Sequence, residues 1–520
     1  MATSARKVGH PLSIAALCVL AVLATAGGTA AEPQVPVVSY AGPRGQLSGP
    51  VTLRARATSR EGRIVAVTFT LDGAPIGSDA TEPYALDLDA GLLSPGKHRL
   101  QVEAVDQLAR RARSKVITVT ARRRTGRMFT VSPRRGLRHA LSVLERGHVT
   151  VRLLPGRYEV RDAQLGDGAR LIGSGAKTVL APSDDSYSFV LLAKGTGIRV
   201  SDLTIDGGGP GEGEGVGVGI FDGSRNVVLQ RLRILRVRAY GVSVWGAHED
   251  VSVQDSRIEG NGTASAGVLV RGSDESRDAS VIRTRIRGFR DFGILFAQRE
   301  YGRPSAALHA LALDNVVSDV ADPERDGCVT EPRETPGCGT NEGGIWTGGV
   351  EAAIIGNTIR RTRWDGIETV GSSTRTTIVA NDVRGTRTGI YVERSTNDSI
   401  IARNVIAAVE SGIKVEWAHG GGRSARNTFR FNRIEAPREV GLVLDVGADD
   451  NRIVRNVFVA GARPAIILQG SSRNLLSRNR ACGARGPLVR EQSAKREDGE
   501  PAKPQDNRLV DNVNSRRPCR

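Results

Sequence analysis

Glu393, Glu416 and Asp445 each stand four residues after a glycine: Gly389, Gly412 and Gly441. Glu368 and Lys414 each stand two residues after one, Gly366 and Gly412. Residues two apart on a strand share a face. The five side chains therefore fall into two outward columns if the glycines mark equivalent strands. Carboxylates one strand apart, ~4.8 Å, repel unless protonated, paired or bridged by a cation. Folding alone gains nothing from that arrangement, so it points to chemistry. Hydrolysis of a glycosidic bond needs one carboxyl as acid and another as nucleophile or base. Adjacent strands suit the ~5 Å spacing of retaining enzymes, and Glu393 with Asp445 suits the longer inverting one. Elimination from a uronic acid needs a base, together with Ca²⁺ or Lys/Arg to neutralise the substrate carboxylate. Glu393, Glu416 and Asp445 are expected to offer oxygens to Ca²⁺, and Lys414, Arg394 or His419 to be the base. Trp346 and Tyr391 are expected to stack on sugar rings, with Trp417, His419, Arg394 and Trp245 as further substrate contacts. The competing reading is a solvated strand in which Lys414 pairs with its neighbours.

The element that must position these residues is a repeat. A small residue followed by an apolar alternation recurs at Gly219, Gly241, Gly267, Gly293, Gly344, Gly366, Gly389, Gly412, Gly441 and Ala465. Most intervals are about 22–26 residues, a solenoid period. The nearer outward column reads Phe221, Ser243, Leu269, Leu295, Trp346, Glu368, Tyr391, Lys414, Val443 and Ile467. The farther reads Gly223, Trp245, Arg271, Ala297, Gly348, Val370, Glu393, Glu416, Asp445 and Gln469. A second marker runs in step at Asn315, Asn357, Asn381, Asn404, Asn432, Asn456 and Asn479. Asn tolerates the left-handed bend between strands, and its amide can bond to the same Asn one coil away. Long insertions at Gln298–Ala307, Val320–Glu342 and Trp417–Arg426 flank the carboxylate coils, as loops that build a site do.

The expected fold class is all-β, a right-handed parallel β-helix preceded by a small β-sandwich. Val151-Arg152-Leu153-Leu154-Pro155-Gly156-Arg157-Tyr158 and Leu171-Ile172-Gly173-Ser174-Gly175 resemble the first turns of the pectin-lyase-like superfamily. The resemblance runs from about Val149 to Asn512 and implies the fold, with a cleft on this face. It leaves the activity open among lyase, hydrolase, epimerase and non-enzyme. The paired-Asp signature of polygalacturonases and the Tyr-Gly-x-Asp-x-His-type motif of alginate epimerases are not found.

Residues 35–121 alternate in short strands separated by turns. Val67–Gly77 and Gly96–Asp106 resemble bacterial immunoglobulin-like domains, which implies a spacer or adhesive module. Residues 122–132 read as a linker. Pro133–Arg146 reads as an amphipathic helix capping the solenoid, which extends over 133–520.

Arg6 and Lys7, the apolar run Leu12–Ala26 and Thr29-Ala30-Ala31 read as a signal peptide over 1–31. The run is short for a membrane span, which gives a secreted or cell-envelope protein with no span after cleavage. The remaining cysteines are expected to pair as Cys328–Cys338 and Cys482–Cys519. The net charge of +17 points to an acidic glycan or cell-wall polymer as partner, with no nucleic-acid module present. The chain is expected to be a monomer. Its expected work is cleavage or modification of polysaccharide; the alternative is a non-catalytic glycan-binding or structural protein.

Overall fold

The computed structural model describes residues 35–520 apart from 91–92, 94, 123–127, 210–213, 299–307, 321–342, 409, 417–421, 436, 460–463, 484–485, 496–499 and 518–520. The signal segment, Trp417, His419, Cys328, Cys338 and Cys519 lie outside the described residues.

Nine strands between Val37 and Ala121 form two facing sheets. One holds Val37–Tyr40, Pro50–Thr58 and Ala85–Asp89; the other is centred on Ile64–Leu71 and Gly96–Asp106. The alternation read from the sequence buries Leu53, Phe69, Leu100 and Val102 between them.

The rest of the chain is a parallel β-solenoid of three sheets, with 15, 14 and 13 strands among the described residues. Each coil gives one strand to each sheet, and every strand pairs with its equivalent one coil on. In the third sheet Ile345, Ile367, Ile390, Ile413, Leu442 and Ile466 stack in register. All six are fully buried. Each removes a branched side chain from water, about 1.5–3 kcal/mol of hydrophobic stabilisation.

Two details differ from the sequence reading at the entrance. Phe129–Val131, placed in the linker, pairs with Thr150–Leu153 as the first strand of the solenoid. The helix spans Leu137–Arg146 and starts later than expected because Gly136 takes a left-handed conformation, φ 88°. Its buried face, Ala140 and Leu144, joins the solenoid core. Gly166 N–H donates to the Leu144 carbonyl at 2.9 Å, which satisfies a helix-end acceptor.

The asparagine column is a buried hydrogen-bond ladder at the bend between the first and second sheets. Asn381 N–H and Nδ2 each donate to Asn404 Oδ1 at 3.0 Å, and Asn404 Nδ2 donates to the Ile378 carbonyl at 2.9 Å. The pattern runs from Asn315 to Asn512. The left-handed residue is the one before each Asn, however: Asp314, Ala380, Arg403, Phe431, Arg455 and Arg478, with φ of 55–58°. Asn is needed for its amide, which bonds in both directions, and its own φ is ordinary. A second ladder, Asn427, Asn451, Asn474 and Asn507, turns the chain from the third sheet into the first.

The sandwich packs on the outer face of the first sheet. Val65, Ala66 and Val105 meet Ile282, Leu311, Leu313, Ala353 and Ile355. Arg111 donates to both carboxylate oxygens of Asp314 at 2.7 Å.

Candidate functional site

The site face is the third sheet. Its register aligns Gly219, Ser243, Leu269, Leu295, Trp346, Glu368, Tyr391, Lys414, Val443 and Ile467. The nearer column therefore stands as read, except at its first position. Gly219 occupies the place assigned to Phe221, because the strand Val216–Ile220 ends before that residue. In the farther column Glu393 is paired with Glu416. Asp445 N–H donates to the Val415 carbonyl at 2.9 Å, which sets Asp445 in the coil after Glu416.

One residue was missed. Asp365 precedes the glycine marker and should face the core by simple alternation. Instead Gly366 and Ile367 both face inward. A Cβ at Gly366 would lie 2.2 Å from Val383 Cγ1 and 2.6 Å from the Gly389 carbonyl oxygen, and Ile367 is fully buried in the core. Two successive inward residues shift the alternation by one and return Asp365 to the outer face. The legible signal was the column before the glycines: Tyr240, Ala266, Phe292, Gly343, Asp365, Thr388, Ser411 and Val440. Asp365 is its one charged member.

Asp365 and Glu368 are buried at the floor of the site, and Glu368 is 1% exposed. Neither carboxyl oxygen of Glu368 makes a well-formed hydrogen bond. Burial pushes the Glu368 carboxyl well above the usual range, and Asp365 and Glu393 add to the rise; Trp346 and Arg394 oppose it more weakly. Burial likewise pushes Asp365 up to about 7, against the Thr388 hydroxyl and the charges of Lys414 and Arg387. Each buried acid raises the other, so the pair favours sharing a proton over ionising together.

The next coils are wetter. Tyr391 Oη donates to Glu416 Oε2 at 2.7 Å. Lys414 Nζ lies 2.5 Å from the same oxygen and 5.1 Å from the centre of the Tyr391 ring. Burial and the nearby Glu416 raise the Tyr391 hydroxyl far above its ordinary value, so it stays a donor. Arg394 Nε lies 3.0 Å from Glu393 Oε1. Asp445 is raised mainly by burial, opposed by a hydrogen bond from Val446 N–H at 2.8 Å.

The structure thus brings together Trp346, Asp365, Glu368, Tyr391, Glu393, Arg394, Lys414, Glu416 and Asp445. Trp245 stands apart. It lies four strands before Glu368, about 19 Å at the usual spacing, and Arg271 stacks on its ring at 5.3 Å. The expected Ca²⁺ set is not assembled. Cations already meet the carboxylates, Arg394 at Glu393 and Lys414 at Glu416, and no group of three or more His, Cys, Asp or Glu side chains is placed to hold a metal among the described residues. Lys414 is correspondingly held by Glu416 and is poorly placed as a free base. Cys482 is fully buried at the end of Arg480–Cys482, and its expected partner lies outside the described residues.

The fold is that of a parallel β-helix protein with a leading immunoglobulin-like module. Residues 334–474 match the family model described as periplasmic copper-binding protein (NosD), and residues 36–102 match that of a bacterial Ig domain. The expected fold, a parallel β-helix preceded by an Ig-like module, is the one observed. Comparison with curated proteins returns no match. Among solved structures, the family 28 exopolygalacturonase of Yersinia enterocolitica is similar over 92% of this chain and 99% of its own, at 12% identity and TM-score 0.39. The mannuronan C-5 epimerase A-module of Azotobacter vinelandii is similar over 73% and 90%, at 15% identity and TM-score 0.35. The fibronectin(III)-like modules of Clostridium thermocellum CbhA are similar over 17% and 100%, at 22% identity and TM-score 0.16. No helix among the described residues is long and apolar enough to cross a membrane.

Proposed function

We propose that this chain is an exported enzyme that hydrolyses an acidic polysaccharide on the outer face of its third sheet. One observation carries the reading. Glu368 is buried without a well-formed hydrogen bond beside Asp365, and that burial raises its carboxyl well above the usual range, next to carboxyls on the following coils. A protonated acid beside an ionised carboxylate is what glycosidic cleavage requires. Glu368, backed by Asp365, is the general acid. Glu416, oriented by Tyr391 and Lys414, is the nucleophile or base. Tyr391 offers a ring to the sugar, and the overall charge of +17 favours an anionic polymer. Elimination is less favoured because Lys414 already neutralises Glu416 and is not free to meet a substrate carboxylate. Copper chemistry finds little support in the donors. Residues 334–474 contain one His, one Cys and no Met.

A second reading rests on a specific observation too. Glu368 and Trp346 are 1% and 3% exposed, which suits a non-catalytic glycan-binding surface made of Tyr391, Lys414 and Glu416. A panel of neutral and uronate polysaccharides, assayed for reducing ends and for unsaturated ends, separates the readings. New reducing ends without unsaturation, lost at least 100-fold in Glu368→Gln, support hydrolysis. Unsaturated ends would replace hydrolysis with elimination. Binding without any product would leave the non-catalytic reading standing.

A further inference from the structure

The outer face of the first sheet carries a feature that glycan chemistry does not use. Thr150, Arg170, Arg199 and Val228 are successive register partners. Arg170 and Arg199 therefore stand side by side, ~4.8 Å apart along the sheet. Like charges directly opposite on paired strands destabilise a sheet, and these two lie where the sandwich covers it. A cavity of about 500 Å³ opens there between sandwich and solenoid, and Arg152 also lines it. The carboxylate closest to Arg199 is Asp87 of the sandwich, at 3.6 Å. Arg231 is already held by Asp202 through two hydrogen bonds, at 2.6 and 2.7 Å, and closes one wall.

The apolar part of the lining includes Ile76, Leu86, Leu88 and Leu93 from the sandwich and Ile172 from the solenoid, and Ser174, Ser201 and Gln230 add polar groups on the solenoid side. Ile76, Leu88 and Leu93 are only half-buried although they pack on the sandwich core. The seam thus presents a cationic end and an uncovered apolar lining in one space. The side chain of Arg199 is 18% exposed, and burial lowers its pKa. Asp87 offsets part of that desolvation, and four guanidinium groups, Arg152, Arg170, Arg199 and Arg231, against the two carboxylates Asp87 and Asp202 leave the lining cationic.

We infer that this seam binds an organic anion with an apolar body, of the medium-chain alkyl carboxylate class, its head on Arg170 and Arg199 and its chain against Leu88, Leu93 and Ile172. The volume fits a body of that size, and convergent charge in a mostly apolar cleft between domains is the ordinary form of a small-molecule site. The guanidinium fork accepts a carboxylate in two parallel hydrogen bonds.

Titration calorimetry on the whole chain tests this with three probes: decanoate, decanol and acetate. Decanoate is expected to bind one to one, more weakly at high salt. Decanol and acetate should each bind at least tenfold more weakly, since one lacks the charge and the other the body. Arg199→Gln should weaken decanoate at least tenfold and leave polysaccharide turnover unchanged. If circular dichroism shows that variant unfolded, Arg152→Gln on the exposed rim is used, with a several-fold loss expected. Equal binding of decanol and decanoate, no saturable decanoate binding, or wild-type affinity in the folded variant would each overturn the inference. Tight binding of an oligouronate with none of decanoate would overturn it as well.

Discussion

Tyr391 donates its hydroxyl to Glu416 across neighbouring strands of the third sheet, at 2.7 Å, while Lys414 meets the same carboxylate oxygen from within the Glu416 strand. Two donors on one oxygen fix the carboxylate's orientation. Tyr391→Phe removes one donor and keeps the ring. The variant is expected to fold normally and lose about 10–100-fold in kcat, with KM little changed. Unchanged kcat would remove Tyr391 and Glu416 from the mechanism.

Glu368 and Asp365 give a second prediction, in stability. Both folded-state pKa values are raised, so the native state holds protons that the unfolded chain has released. Stability then falls as pH rises. For Asp365 the loss begins near its unfolded value of about 4 and is complete above about 7. Glu368 extends it further upward. Glu368→Gln and Asp365→Asn replace each acid by a neutral group of similar shape. Urea unfolding from pH 4 to pH 9 should decline less steeply in each variant, with a gain of a few kcal/mol at the alkaline end. An equal slope in all three proteins would show that neither acid is held neutral by the fold.

The asparagine ladder predicts a cost confined to folding. Asn404 is fully buried and accepts from Asn381 N–H and Nδ2 while donating to the Ile378 carbonyl and to Asn432 Oδ1. Asn404→Ala leaves the Asn381 N–H and the Ile378 carbonyl without partners inside the core. The expected cost is about 2–6 kcal/mol, from roughly 1–3 kcal/mol for each of the two orphaned groups. Equilibrium unfolding in urea measures it. A loss below about 1 kcal/mol would mean that water or backbone adjustment replaces the ladder.

These cases show what the sequence could carry. The solenoid was legible because its marker recurs ten times at near-regular spacing, and a column of Ile and Val at fixed offsets can mean little else. The outward columns followed from the two-residue period, so the register of Glu368 with Tyr391 and Lys414 was readable. Asp365 was not, because Gly366 inserts a second inward residue and breaks the alternation at that point. The partners of Glu393 and Glu416 were not readable either. A carboxylate is defined by sequence, but whether Ca²⁺, Arg394 or Lys414 meets it depends on rotamers and on the strand end at Arg394, where φ is 43°. The left-handed residues of the bends were assigned one position late, since Asn has a real preference for that conformation and the amide ladder claims it first.

The seam between sandwich and solenoid yields the last prediction. Gln254 is fully buried, and its side-chain amide closes on the backbone of Ser78 as a neighbouring strand would. Oε1 accepts from Ser78 N–H at 3.0 Å, and Nε2 donates to the Ser78 carbonyl at 3.0 Å. Nε2 also donates to Ser252 Oγ at 2.6 Å. One side chain thereby completes the edge of strand Ala74–Asp79 against a different module. Gln254→Ala exposes neither group to water and leaves both unpaired, a cost of about 2–4 kcal/mol. Gln254→Glu keeps the acceptor but sets a carboxylate against the Ser78 carbonyl, and should cost at least as much near pH 7. Hydrogen exchange should rise at Ser78 and along Ala74–Asp79 in both variants, while the third sheet keeps its protection. Acceleration spread evenly over sandwich and solenoid would show instead that the two modules unfold as one unit, with Gln254 contributing only to global stability.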